Sequence, residues 1–246
     1  MLSKVSKQHG IVLMKANSKY LKGSIQVSVY PAEVMNITQG MNDGFSHRGR
    51  LTIDDAGKDT GIDNFYAPFD LVIKWKQIIG DKTGVLACSS NKVQTPKGLQ
   101  YVNIILWHDN DTSDLWVGKY IQQGEAFYQE GTAGFATGNH VHFGTSFGLY
   151  TNGYPMIKNS SGNWEIKNEV SPVEVFYVND TIIKNGKGYS WQTIELNNEI
   201  VVNGILDEAT LKGLQKRLGT VQDGVLSTPS SMVKELQRRL INGDLI

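Results

Sequence analysis

Apolar and polar residues along this chain fall into two textures. From about residue 20 to 180 the apolar positions alternate with polar ones or gather in short runs: "SIQVSVY" at 24–30, "LVIKWKQII" at 71–79, "LQYVNIILWH" at 99–108 and "VEVFYV" at 173–178. These runs are rich in Val, Ile and aromatics and are bounded by Gly, Asn, Asp and Pro. They predict strands joined by turns, and together an antiparallel β domain. The stretch "YTNGYPMIKNSSGNWEIKNEVSP" at 150–172 has too many turn formers for a helix and predicts a long hairpin or surface loop.

Beyond residue 200 the period changes. "NGILDEATLKGLQKRLGT" at 203–220 and "DGVLSTPSSMVKELQRRLIN" at 223–242 are two copies of one unit, in which Leu214, Gln215, Arg217 and Leu218 recur as Leu236, Gln237, Arg239 and Leu240. Leu211, Leu214 and Leu218 in one copy, and Val233, Leu236 and Leu240 in the other, share one helical face, so two amphipathic helices packed face to face are expected. Asp207 and Thr228 suit the N-caps, with Pro229 in the first turn and Gly219 as a stop. The expected organisation is a mainly β fold, an antiparallel β-sheet domain over 1–180, then a polar, glycine-containing linker at 181–200 and a small α-helical module at 201–246.

Composition narrows the partners. The chain has 246 residues, 40% of them hydrophobic, and its 24 Lys and Arg balance 24 Asp and Glu. This neutrality gives no ground for nucleic-acid binding or a polybasic membrane contact. The single cysteine, Cys88, cannot form an internal disulfide and is expected as a small apolar residue in a strand. The first twenty residues contain only the short apolar run "IVLM", too short for a signal-peptide core or a membrane span, so a soluble chain without membrane insertion is expected.

Candidate chemistry centres on histidine. Only five are present, and two of them, His140 and His142, flank a single valine in "TGNHVHFG". On a strand, residues i and i+2 share a face, so one ring can bind a metal while its neighbour reaches the metal's water; two ordinary hydrogen-bonded histidines have the same spacing. A second segment, "FSHRGRLTIDDAG" at 45–57, sets His47 seven positions before Asp54, with Gly49 permitting a turn. Alternation sends Leu51 and Ile53 to the core and Thr52 and Asp54 to the other face, which selects Asp54 over Asp55. A catalytic zinc takes three protein ligands and keeps one position open, and His47, Asp54 and one histidine of the pair meet that count.

Together these segments resemble the lysostaphin-type (LytM-like) zinc metallopeptidases of peptidoglycan. The shared features are the His-x6-Asp order, "YAPFDLVIKW" at 66–75, and the spaced glycines of "VGKYIQQGEAFYQEGTAGFATGNHVHF" at 117–143. The resemblance covers about residues 30–178 and implies a catalytic β domain with a groove. It implies His47, Asp54 and His142 as Zn2+ ligands and His108 and His140 as catalytic histidines. Six residues between the first two ligands is longer than in many members, and His108 is flanked by Trp107 and Asp109 where the family commonly has tyrosine and leucine. His9 is expected at the surface. Arg48, Arg50 and Trp107 suit either a groove wall or plain surface.

The C-terminal repeat resembles the helical peptidoglycan-binding modules of bacterial and bacteriophage lysins. The activity implied is a zinc endopeptidase cutting peptide stems or cross-bridges of peptidoglycan, a phage lysin held in the host cytoplasm until release to the wall, or a virion-associated one. Self-association through the C-terminal module is a further expectation. The alternatives are a zinc-dependent N-acetylmuramoyl-L-alanine amidase and a non-catalytic wall-binding or virion structural protein.

Overall fold

A computed structural model describes residues 16–44, 46–79, 82–179, 181–194, 206 and 208–243. The chain is mainly β, with antiparallel sheets and two helices. Among the described residues nine strands build the principal sheet: β1 Val34–Gln39, β2 Ile53–Asp55, β3 Leu71–Ile79, β4 Lys82–Ser89, β5 Val102–Trp107, β6 Tyr120–Ile121, β7 Val141–Phe147, β8 Glu169–Val170 and β9 Ile182–Asn185. Their order is β6-β3-β4-β5-β7-β2-β1-β9, with β8 beside β7. All pairs are antiparallel except β9 with β1.

The run at 102–107 forms a strand covered on both faces, whereas 71–79 is buried at Leu71 and Ile73 and exposed at Lys74 and Ile78. Val102, Ile104 and Leu106 enter the main core with Ile53, Ile73, Val85, Phe143 and Phe176. Ile105 points the other way, into a second cluster with Leu86, Cys88, Met156 and Ile166. Full burial of each such aliphatic side chain contributes about 1.5–3 kcal/mol, so the middle of the sheet is the rigid floor on which the site is laid. Cys88 is the buried strand residue expected, and burial pushes its thiol up to about 12.

The hairpin expected within 150–172 is present as Met156–Lys158 paired with Trp164–Ile166. Its turn is fastened to the loop after His47: Asn159 Nδ2 and Asn163 Nδ2 both donate to Arg48 O, at 3.2 and 3.1 Å.

Three expectations need correction. The run 173–178 opens as one turn of 3-10 helix, Pro172–Glu174, capped by the Ser171 hydroxyl, and only Tyr177 makes isolated bridges. Proline supplies a fixed φ and no N–H, which favours a helical first turn over a strand. The segment expected as linker instead extends the sheet through β9, and Tyr189 and Trp191 pack against the main core. In the C-terminal module, α1 (Glu208–Leu218) ends at Gly219 as expected, whereas α2 (Ser231–Asn242) starts after Ser230, whose hydroxyl accepts from Val233 N–H, so Ser230 and not Thr228 is the cap. Asp207 and His9 lie outside the described residues.

The two helices meet through Leu211, Leu218 and Met232, with Leu214, Val233 and Leu236 beside them. Leu240, expected on that face, is exposed. Among the described residues no helix is long and apolar enough to cross a membrane.

Candidate metal centre

Register brings the site together. Trp107 on β5 pairs with His142 on β7, His142 pairs with Asp54 on β2, and Asp54 pairs with Gln39 on β1. Cross-strand partners share a face, so these four side chains form one row across the sheet. All four line a groove of about 320 Å³, with His108, His140, Arg50, Phe135, Met156 and Trp164 around them.

His47 reaches the row from a tight turn. Arg50 N–H donates to His47 O at 2.9 Å, and Gly49 takes φ +72°, a conformation that side-chain-bearing residues rarely adopt. The turn buries His47 completely and aims its Nε2 at the row.

The donor atoms converge. His142 Nδ1 lies 2.7 Å from Asp54 Oδ1, and His47 Nε2 lies 3.2 Å from both. Among the described residues this is the group of three whose ligand atoms fall within 4.8 Å of one another. Ligands at zinc-like distances around a tetrahedral ion stand about 3.3 Å apart. Two edges of this triangle nearly have that length and the third must open by about 0.6 Å, so the donor set fits a small divalent ion.

Electrostatics agree with a metal-holding set. Burial works to raise the Asp54 carboxyl, but hydrogen bonds from His142 and His47 overcome it and hold the group well below the usual carboxylate range. Burial pulls His142 down to about 3, so its ring is neutral. An ionised carboxylate and neutral imidazoles are the forms that ligate. Asp55, on the core side of β2, is the reverse: burial raises it to about 6, and its oxygens accept from Tyr30 OH and Asn36 N–H at 2.8 and 2.7 Å. Alternation therefore separates the two aspartates as expected.

His108 and His140 stand beside the triangle. His140 shares the face of His142, with its Nε2 3.8 Å from Asp54 Oδ2. His108 arrives by a different device. Strict alternation would send it into the core with Leu106, but β5 ends at Trp107 and His108 takes φ +90°. Its ring lies 4.6 Å from His140 and 5.7 Å from His142, centroid to centroid. Gly131 permits the bend, since a Cβ there would sit 2.2 Å from His108 O. Burial lowers the His108 pKa, which keeps its ring a base.

All five expected site residues thus gather at one end of the sheet. Arg50 and Trp107 line the groove, and Arg48 is exposed. Phe135, Met156 and Trp164 were not singled out from the sequence. They come from a loop and a hairpin, and no periodicity marks their direction.

No known protein-family profile matches the chain. It is 37% identical over 177 residues to Morphogenesis protein 1 of Bacillus phage B103, an alignment that takes in 70% of this chain and 46% of that protein. Solved structures that align with it include a zinc-containing peptidase from Vibrio cholerae, at 16% identity and TM-score 0.36 over 56% of this chain and 43% of that one. The catalytic domain of the prophage-encoded M23 protein EnpA from Enterococcus faecalis aligns at 16% identity and TM-score 0.33, covering 64% of this chain and 95% of that one. Lysostaphin from Staphylococcus simulans aligns at 13% identity and TM-score 0.35, covering 51% and 49%. The chain spans about half the length of the phage protein it matches.

Proposed function

We propose that this chain is a zinc-dependent endopeptidase that hydrolyses peptide stems or cross-bridges of bacterial peptidoglycan. The observation that carries the reading is the convergence of His47 Nε2, Asp54 Oδ1 and His142 Nδ1 beside two further histidines in an open groove. When bound there, zinc supplies Lewis acidity toward an amide carbonyl and acidifies water.

The chain's own groups handle protons and position. His108 Nδ1 and His140 Nδ1 donate to Ala133 O and Gly138 O, at 2.7 and 2.8 Å, which leaves each Nε2 as a lone pair. One can accept a proton from the attacking water and the other can stabilise the developing oxyanion or return a proton to the leaving amine. Trp107 and Trp164 offer apolar walls to an extended peptide.

The 37% identical relative is named as a phage morphogenesis protein, which supports a virion-associated setting. The helical module would act as a tether that raises the enzyme's local concentration on the wall or joins two copies. Zinc analysis of the whole protein, with wall digestion in the presence and absence of chelator, tests the proposal. One zinc per chain and chelator-sensitive release of new amino termini are expected, and His142→Ala should abolish both while wall binding persists. Freed lactyl-linked sugars, with L-alanine as the new amino terminus and no new cross-bridge termini, would identify an amidase instead.

A further inference from the structure

Three of the four histidines at the site are oriented alike. His47, His108 and His140 each donate Nδ1–H to a backbone carbonyl, of Gly40, Ala133 and Gly138 respectively. His142 is turned round: Nδ1 faces Asp54 and His47, and Nε2 faces away. The outer nitrogen of a metal-holding histidine ordinarily donates its N–H to an acceptor, which fixes the inner lone pair on the metal.

At His142 the outer partner is instead a donor. Arg50 Nη2 lies 2.9 Å from His142 Nε2. A guanidinium has five N–H groups and no acceptor, and it stays charged in folded proteins. Nε2 must therefore accept, and the proton of the neutral ring sits on Nδ1, donating to Asp54 Oδ1 at 2.7 Å. In that tautomer Nδ1 has no lone pair to offer an ion.

Arg50 is also lightly held. Its Nη1 reaches Ser46 O only at 3.4 Å, and its buried Nε has no hydrogen-bond partner. The charges of Glu169, Asp54 and Glu165 all act on it. Glu169 is anchored by Thr52 Oγ1 and Leu51 N–H, at 2.7 and 2.5 Å. A carboxylate is thus fixed on the backbone of the residue next to Arg50, without an ion pair to it among the described residues, while the guanidinium itself rests on a histidine.

We propose that Arg50 is a positioning residue that competes with the metal for control of His142. It holds the Nδ1–H tautomer in the metal-free protein and leaves Nε2 for the Glu169 side when the ion is taken up. His142 stays neutral throughout: Nδ1 releases its proton to solvent, and Nε2 takes one up. This rests on the metal reading above.

The test uses the whole protein with 15N-labelled histidine, with and without one equivalent of zinc. Long-range 1H–15N spectra should place the His142 proton on Nδ1 without zinc and on Nε2 with it. By chelator competition, Arg50→Met should bind zinc about tenfold more tightly than wild type, on the scale typical of groups that contact a ligand's outer atom. Arg50→Lys, still a pure donor, should stay near wild type. Thermal melts of the metal-free variants establish folding, and Arg50→Gln, whose amide oxygen can accept from Nε2–H, replaces a Met variant that does not fold. An unprotonated Nε2 in the zinc form, or weaker or unchanged zinc binding by the folded variant, overturns the proposal. A wild type that binds no zinc overturns the metal reading itself, and the wild-type titration tells the two failures apart.

Discussion

His108 and His140 face each other with ring centroids 4.6 Å apart, although they come from the ends of different strands and only one of them follows strand alternation. Each presents Nε2 to the groove, and neither belongs to the donor triangle. Replacing either with Ala should lower kcat by about 10²–10⁴ while zinc content stays at the wild-type level. Parallel measurements of wall digestion and bound zinc check this; loss of zinc from His108→Ala would move that residue into the metal set.

The groove wall gives a second prediction. A Cβ at Gly84 would stand 2.5 Å from the Trp107 ring, which lies edge-on to Trp75. Gly84→Ala should destabilise the fold by about 1–3 kcal/mol through overpacking and displace Trp107, raising KM more than it lowers kcat. Urea denaturation and steady-state kinetics on a soluble peptide substrate separate the two effects.

An acidic cluster away from the groove predicts pH-dependent stability. Burial raises Glu130 to about 8, and Asp63, Asp55 and Asp59 add to the rise. The folded chain therefore holds a proton on Glu130 that the unfolded chain gives up near pH 4.5. This stabilisation is fully present below pH 4.5 and is lost as pH rises through about 8. Melting temperature should fall across that window in the wild type, and Glu130→Gln should flatten the decline. Differential scanning calorimetry from pH 5 to 9 is the check, and parallel curves for the two proteins would contradict it.

In the helical module, buried Gln215 stitches the following loop to α1. Its Nε2 donates to Asp223 Oδ1 at 2.7 Å and Val225 O at 3.1 Å, and its Oε1 accepts from Gly224 N–H at 2.9 Å. Gln215→Ala should cost about 1–3 kcal/mol by leaving buried partners unpaired, whereas Gln237→Ala, at the exposed repeat position, should be nearly neutral. Proteolysis of the module, followed against time, distinguishes them.

Much of the fold was legible because its strands carry their own signal. The run at 102–107 is apolar enough to demand burial on both faces, that at 71–79 is apolar enough to demand it on one, and alternation along Leu51–Asp55 assigned Asp54 to the site. Residues whose direction comes from elsewhere were harder. Val175, Phe176 and Val178 are buried as a strand's residues would be, but Ser171 and Pro172 start a helical turn. His108 reaches the site only through a backbone angle that no pattern of side chains encodes, so motif resemblance alone pointed to it. The Arg50 contact depends on which nitrogen of His142 faces outward, a matter of three-dimensional register. Gln215 and Gln237 read as equivalents, yet among the described residues only the first has a loop packed on it.

The strand that closes the sheet carries a lesson for dissecting this protein. Beyond β9, Tyr189 OH accepts from Met41 N–H at 2.8 Å, and the neighbouring Gly40 carbonyl is the group that orients His47. Lys187 also pairs with Asp43 in the same loop, at 3.0 Å. A fragment trimmed at residue 180 would keep His47, Asp54, His108, His140 and His142 and still lose the brace behind the first of them. Excised versions meant to report on this site should therefore run at least through Trp191, since shorter ones would present His47 without its support.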